Sequence, residues 1–285
     1  MLVSIIVLNY NGKDCLDNCI KSLTKLNFPK DKYEIIVVDN NSPDESWKIV
    51  KKFRKVKLIR SMENTGFAGG NNIGVKHAKG KYIALINNDA EADSEWLNQL
   101  LKPLEKDKSV AASTGIVYYG KKLKKFLLPW FSGAKIYPLH FVKHNYLGEY
   151  SGYSDYPCGC SMMIKKDILK EIGGLFDEKF FMYAEDADLG IRLKEQNYKI
   201  VYNPHAIAYH HIDKDRLSKN EVYYSFRNRS YLMYKHTRLP KVLFLLLDFF
   251  VYYPIFTLYK AIRLKKIKYH IKDIIKARFD FYRML

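Results

Sequence analysis

The chain has 285 residues, 48 % of them apolar, which is enough to bury a large core and too apolar for wholesale disorder. Lys and Arg number 48 against 30 Asp and Glu, a formal net charge of +18, so an anionic partner is expected among nucleic acid, lipid headgroups or phosphorylated small molecules. The four cysteines (Cys15 and Cys19 four apart in a helical pattern, Cys158 and Cys160 alternating along a strand-like run) lack zinc-knuckle spacing and read as free thiols of a reducing compartment.

The apolar run Leu2–Leu8 is too short for a signal peptide or an anchor and reads as a buried strand. Further strands are expected at Tyr33–Val38, Val56–Arg60 and Lys81–Ile86. Most of these runs are continuous rather than alternating, as in a parallel sheet covered on both faces. Helical patterns fall between them near Lys13–Leu26, Pro43–Phe53 and Gly69–Ala78. The second carries a start signal, with Ser42 as N-cap, Pro43 at the first helical position and Glu45 closing a capping box. Strand and helix alternating at this spacing predict right-handed βαβ crossovers in a doubly wound α/β fold. A helix about Ser94–Asp107 follows. Gly120–Tyr156 has Gly, Pro and aromatic residues without a sustained period and reads as a long functional loop or insertion. Order returns with a strand at Cys158–Ile164, helices near Lys166–Ile172 and Ala184–Gln196, and a strand at Lys199–Tyr202.

From Leu239 the composition changes. Val242–Ile262 is long enough to span a bilayer but is interrupted by Asp248, Pro254 and Lys260. Basic residues flank it at Lys241, Arg263, Lys265, Lys266 and Lys268, and Lys241–Leu285 holds ten Lys and Arg against three Asp, a local net of +7. Tyr, Phe and flanking Lys suit a headgroup interface, so an interfacial helix or re-entrant hairpin is favoured over a span, with a buried helix pair as the alternative. The expected division is 1–238 for the α/β domain and 239–285 for a basic, aromatic, membrane-associating helical extension.

Ligands of doubly wound sheets bind beyond the carboxyl ends of the strands. Those ends read Asn9-Tyr10-Asn11-Gly12, Asp39-Asn40-Asn41-Ser42 and Asn87-Asn88-Asp89, a concentration of Asn and Asp that is better explained together as a polar ligand site than as three separate turns. A carboxylate at Asp39 suits the ring N3–H of a pyrimidine. The segment Asn64–Asn72 combines glycines that permit close backbone approach with amides able to bond a nucleotide, though it matches neither a P-loop nor a dinucleotide fingerprint. Asp89 is a candidate ligand for Mg²⁺ or Mn²⁺ on a diphosphate. Asp186 is a candidate general base, with Asp188 placed to stabilise a helix dipole. His210 and His211 are candidates to complete a metal site, or are structural histidines.

The strings VSIIVLNYNG, VVDNNSPD, NTGFAGGNN, LINNDA, GGLFDEKFFMYAEDADLGIRL and YYSFRNRSYL, in this order from about Leu2 to Tyr234, resemble family 2 glycosyltransferases, most nearly the rhamnosyltransferase-like branch. The resemblance implies a GT-A fold and inverting hexosyl transfer from a nucleoside-diphosphate sugar, dTDP-rhamnose or a UDP-sugar, to a saccharide or polyprenyl-linked acceptor in polysaccharide biosynthesis. It implies a base pocket at Asn9, Asn11, Asp39 and Asn41, and nucleotide contacts from Asn64, Gly66, Phe67 and Asn71. The family's metal-binding Asp-x-Asp motif maps onto Asn87-Asn88-Asp89, leaving Asp89 as its only carboxylate, with Mn²⁺ or Mg²⁺ as cofactor. The catalytic pair maps onto Glu185 and Asp186, with Asp186 as base. The late metal-ligating His maps onto His210, with His211 as alternate, and Ile212-Asp213-Lys214-Asp215 stands where glycines are usual. With the basic tail, the expected location is cytoplasmic, peripheral or monotopic at the inner face of the cell membrane, on an anionic membrane surface. Two other classes fit parts of the sequence. A basic nucleic-acid-binding module is permitted by the charge and the aromatic residues, but no nucleic-acid motif appears and no specific nucleic acid is expected. A nucleotidyltransferase would usually place a Gly-rich basic loop after the first strand, which Asn9-Tyr10-Asn11-Gly12 is not.

Overall fold

The structure, a computed structural model, describes residues 1–120, 128–137, 141–144, 147–148, 150–211, 219–263 and 271–285. Ile212-Asp213-Lys214-Asp215 and the basic Lys265, Lys266 and Lys268 lie outside the described residues. The chain divides into two units: Met1–Ile136 with Val142–Phe181 and Glu185–Lys214, and Tyr137–Phe141 with Met182–Ala184 and Asp215–Leu285.

The first unit begins β1 (Val3–Asn9), α1 (Leu16–Thr24), β2 (Tyr33–Asp39), the single turn α2 (Trp47–Val50), β3 (Val56–Arg60), α3 (Gly66–His77) and β4 (Tyr82–Asn87). It continues with β5 (Ala90–Ala92), α4 (Trp96–Lys106), β6 (Val110–Tyr119), β7 (Pro129–Phe131), β8 (Ala134–Tyr137), β9 (Phe141–His144), β10 (Gly152–Tyr153), β11 (Ser161–Lys165), α5 (Glu185–Glu195) and β12 (Lys199–His210). One large sheet runs β10-β12-β6-β11-β4-β1-β2-β3. Its β4-β1-β2-β3 half is parallel, as the continuous apolar runs predict, and β12 runs parallel to β6. The antiparallel strand β11 stands between the two parallel groups.

Burial on both faces explains the continuous runs. Ile6 of β1 joins Ile36, Leu85, Ala112, Ile164 and Leu189 in one core cluster, while Ile5 and Val7, at the opposite parity, are equally buried on the other face. Gly70 and Gly74 of α3 let that helix close onto β1: a Cβ on them would meet Leu8 Cδ1 at 2.2 Å and Ile6 Cγ2 at 2.5 Å. On α4, fully buried Trp96 donates from Nε1 to Ser161 Oγ of β11 at 2.8 Å, so the large ring is packed without an orphaned donor.

Several expectations change. Ser42 is not an N-cap. Its hydroxyl lies 3.1 Å from Asn9 Nδ2 and 3.3 Å from the Asn11 amide, and Glu45 adopts φ +57°, which stops any helix from starting at Pro43. Asp44 instead accepts from the Ser46 amide, and only Trp47–Val50 is helical. The ten-residue strand β6 was not expected; its sequence VAASTGIVYY is small, and its Ser113 and Thr114 are satisfied by Leu100 O and Ser161 O. Cys158 and Cys160 sit in the turn before β11 rather than along it. The helix expected at Lys166–Ile172 is a 3₁₀ turn over Asp167–Lys170, and β12 runs on past Tyr202 to His210 across a bulge between Asn203 and Ile207. The described part of Gly120–Tyr156 contains the short strands β7 to β10.

The second unit contains α6 (Lys219–His236), α7 (Lys241–Leu247), a π-helical turn over Asp248–Tyr252, α8 (Tyr253–Arg263) and α9 (Ile271–Met284). Its division from the first unit falls before α6, earlier than the compositional change at Leu239, because Val222 and Phe226 of α6 form one core with Phe256, Ile274 and Ala277. Asn228 of α6 donates to the carbonyls of Met182 and Tyr183 at 2.7 Å each, which groups that short segment with the helices.

Gly115 tests the β6–β12 junction, because a Cβ there would stand 1.9 Å from the Ala206 carbonyl oxygen, a backbone atom in the β12 bulge between Asn203 and Ile207. Gly115→Ala is expected to destabilise the fold by about 1–3 kcal/mol, read as a lowered Tm; an unchanged Tm would refute the contact.

Candidate active site

At the carboxyl end of β1 the Asn9 side chain is fully buried. Its Nδ2 faces Asp39 Oδ1 at 3.1 Å, Ser42 Oγ at 3.1 Å and Ser46 Oγ at 2.7 Å, and its Oδ1 accepts from Asn88 Nδ2 at 3.0 Å. The ends of β1, β2 and β4 are therefore tied through one amide. Gly12 completes the junction, since a Cβ there would stand 2.1 Å from Asn9 Oδ1. Asp39 is fully buried as well, and Arg60, its register partner on β3, lies 3.4 Å from Oδ2 while its guanidinium covers the Trp47 ring at 4.1 Å. Asn11 and Asn41 are exposed and hold left-handed backbones, φ +55° and +61°.

The Asn64–Asn72 segment is fastened by Asn40, which sequence reasoning passed over. Asn40 Nδ2 donates to Asn64 Oδ1 and Gly66 O, and its Oδ1 accepts from the Thr65 amide and hydroxyl. Gly66 opens α3 at φ +73°, where any side chain would strike the Phe181 carbonyl. Phe67 is only half-buried and packs against Phe176, ring centroids 5.8 Å apart. Asn71 is buried and donates to Phe67 O within its own helix, a structural placement.

Register brings the next pair together. Ala90 of β5 pairs with His210 of β12, so Asp89, one residue earlier, sets Oδ1 2.9 Å from His210 Nε2. Burial works to raise the Asp89 carboxyl, but the hydrogen bond and charge of His210 outweigh it and hold the pKa below its usual value. Asn87 Nδ2 lies 3.3 Å from the same nitrogen. His210 is buried against the Trp130 ring, centroids 4.7 Å apart, and its Nδ1 has no hydrogen-bond partner among the described residues. A carboxylate oxygen and an imidazole nitrogen are the donor types that could hold Mn²⁺ or Mg²⁺, and here the two are bonded to each other. Among the described residues no third His, Cys, Asp or Glu joins them. His211 turns instead to Glu91, 3.2 Å away.

Glu185 and Asp186 open α5 after a backbone run with φ +62° at Phe181, +68° at Tyr183 and +75° at Ala184, a concentration of left-handed non-glycine residues that stores strain. Glu185 is buried, and its Oε2 has no partner among the described residues. Burial, then the neighbouring Asp186, push its carboxyl well above the usual range. Asp186 keeps partial exposure, and burial pushes its carboxyl up to about 6 against opposing hydrogen bonds from the Ala187 and Gly159 amides. Burial thus raises both carboxyls, and Asp186 is the member of the pair left partly exposed. Asp188 is fully buried and structural: it fixes Arg192 at 2.7 Å, and Arg192 in turn donates to the carbonyls of Ile172, Gly174 and Leu175.

Beside Asp186, Gly159 approaches the Phe67 ring so closely that a Cβ would lie 3.0 Å from it. Tyr156 is buried, faces His144 Nε2 at 2.7 Å, and is pushed up by burial and then by Asp186. Tyr156, His144 and Trp130 belong to the aperiodic region, where no spacing could mark them. A depression of about 560 Å³ lined by Met1, Lys79, Lys81, Lys166 and Lys170 lies at the amino ends of the strands, away from these groups.

Several known proteins resemble this chain. A poly(ribitol-phosphate) beta-glucosyltransferase of Bacillus spizizenii is 37 % identical over 34 % of the chain, which spans only 17 % of that protein. The low-salt glycan biosynthesis hexosyltransferase of Haloferax volcanii is 27 % identical over 80 % of the chain and 74 % of its own length. Among solved structures, S. aureus TarS 1–349 in complex with UDP-GlcNAc superposes with a TM-score of 0.63 at 19 % identity over all of this chain and 81 % of that one. GalNAc-T7 with UDP, GalNAc and Mn²⁺ gives 0.66 at 16 % identity over 85 % and 52 %. At these identities the structural likeness establishes the fold, the mixed α/β sheet of GT-A neighbours. The family model described as glycosyl transferase family 2 matches residues 4–173, more than half of the chain, and the chain belongs to that family.

Proposed function

We propose that the chain transfers a sugar from a nucleoside-diphosphate donor to a hydroxyl of a saccharide or polyprenyl-linked acceptor, with inversion at the anomeric carbon. The observation that carries this reading is the carboxyl pair at the start of α5, with Glu185 buried and pushed well above the usual range and Asp186 pushed up to about 6 and partly exposed. The acceptor O–H proton passes to Asp186 as the oxygen attacks the anomeric carbon. The bond from that carbon to the diphosphate oxygen breaks, and the nucleoside diphosphate leaves. One displacement by an external hydroxyl inverts configuration. The Gly159 and Ala187 amides orient the Asp186 carboxylate.

Asp89 and His210 would hold Mn²⁺ or Mg²⁺, which when bound offsets the charge developing on the diphosphate. Asn11, Asn41 and Asn64 present amides at the strand ends, and Asp39 accepts a pyrimidine N3–H once the half-exposed Arg60 gives way. A UDP-sugar is favoured because S. aureus TarS was solved with UDP-GlcNAc and GalNAc-T7 with UDP; dTDP-rhamnose is the second donor considered.

Four outcomes test this reading. Asp186→Asn is expected to lower transfer by about 10²–10⁴-fold while sparing nucleotide binding, whereas Glu185→Gln, isosteric with a neutral acid, keeps most turnover; equal losses in both would sink the assignment of roles. Turnover should fall about tenfold per unit as pH drops below about 6, where Asp186 takes up its proton. The same shift opposes folding: the native state binds the proton more tightly than the unfolded chain, so Asp186 costs stability as pH rises from about 4 to about 6, and Asp186→Asn should match or exceed the parent Tm at pH 7.5. Finally, UDP should raise the Tm, more so with Mn²⁺, and Asp89→Ala or His210→Ala should remove the Mn²⁺ increment. No Tm rise with UDP, dTDP, GDP, ADP or CDP in a folded sample would remove the donor site.

A further inference from the structure

The helix formed by α7, the π turn and α8 includes an 18-residue window, Lys241–Leu258, long and apolar enough to cross a membrane by length and composition. Two features of the second unit bear on how it would meet one. Inward, Phe244, Asp248 and Phe256 are buried. Asp248, near the middle of the window, is fully buried and bonded by Arg278 of α9 and Ser230 of α6. Arg278 stacks on Tyr253 at 4.3 Å, and the Tyr253 hydroxyl donates to Ile274 O at 2.6 Å. The inward positions recur every four residues, which on a regular α-helix would drift around the axis; the wider π turn at Asp248–Tyr252 corrects the phase and keeps Asp248 and Phe256 on one side. Outward, Val242, Leu246, Phe249, Phe250, Ile255 and Leu258 are exposed, with Phe250 at 70 % and Val242 at 73 %. On α9, Ile271, Ile275 and Phe279 form a second exposed stripe at i, i+4, i+8. The exposed charged residues among those described in this unit, Arg238, Lys241, Lys272, Lys276 and Arg283, are all basic, while Glu221, Asp273 and Asp280 are half-buried and Asp280 pairs with Lys276.

The geometry points to a docking surface for an anionic lipid bilayer, on which Lys241–Leu258 lies in the interface plane instead of crossing it. A crossing would draw Asp248 into hydrocarbon away from Arg278 and Ser230 and leave each of them unpaired; lying flat buries the outer apolar side chains and keeps that cluster whole. An apolar face this extensive on a soluble monomer signals a partner. The excess of exposed basic residues over half-buried acidic ones selects anionic headgroups over a protein face of arbitrary charge. This inference stands independently of the transfer reaction.

The test is co-sedimentation of the full chain with vesicles of phosphatidylcholine alone or mixed with phosphatidylglycerol. Retention by the mixed vesicles, weakened by salt and reversed by alkaline carbonate, is expected. The double variant Val242→Glu/Phe250→Glu, at the two most exposed apolar side chains of the window, should weaken retention at least about tenfold and leave the Tm and the UDP shift unchanged. No retention by mixed vesicles, undiminished retention in the double variant, or retention that survives carbonate, as for a span, would overturn the proposal. So would a stable dimer in light scattering that the double variant dissociates without any vesicle binding, since a second copy would then cover the face. Lost retention with an intact UDP shift leaves the transfer reading standing, and lost UDP binding with intact retention leaves this one.

Discussion

The buried amide of Asn9 is the constraint on which the donor end of the sheet depends. A parallel sheet leaves its strand ends pointing the same way but does not by itself hold their loops together. Here one side chain with both donor and acceptor capacity joins the termini of three strands, and burial makes each of those bonds costly to break. Asn40 repeats the device one strand over by fastening Asn64–Gly66. The exposed amides nearby keep their positions because these buried ones are fixed.

Chemistry is distributed by a different rule. Asp89 meets His210 because an antiparallel pairing of three residues, β5 on β12, places positions 121 apart in sequence side by side. Asp186 acquires its shifted pKa because the chain enters α5 through left-handed residues that sink the first turn of the helix. Neither depends on an unusual residue; both depend on where the backbone is forced to go.

That difference explains what the sequence discloses. The strands β1 to β4 announce themselves through continuous β-branched runs, and the Asn- and Asp-rich strand ends follow from topology, so Asn9, Asp39 and Asp89 could be named in advance. Which of them face a ligand could not be named, because Asn9 and Asn71 have the same composition as an exposed site amide and are distinguished only by burial. Ser42 misled because a local capping signal lost to a long-range bond from Asn9. Strand β6 was missed because its small, hydroxyl-bearing residues carry little hydrophobic signal and rely on Leu100 O and Ser161 O for their polar groups. Trp130, His144 and Tyr156 lie in an aperiodic stretch, where tertiary placement alone gives them meaning. In the tail, composition raises the expectation of an interface, whereas the inward turn of Asp248 is visible only in the fold.

The turn Cys158-Gly159-Cys160 has a consequence for oxidant tolerance. The amide that orients Asp186 lies between two thiols, so a sulfenic acid or a mixed disulfide at either one would displace it. Both thiols are buried, and burial first, then neighbouring groups (Asp186 for Cys158, Cys158 itself for Cys160), push them far above the range in which a thiolate forms at neutral pH. Peroxide finds almost no nucleophile at this turn. The group proposed as base is a carboxylate, which oxidants leave alone, and the neighbouring sulfurs are kept in their inert form by burial, which also raises that carboxyl.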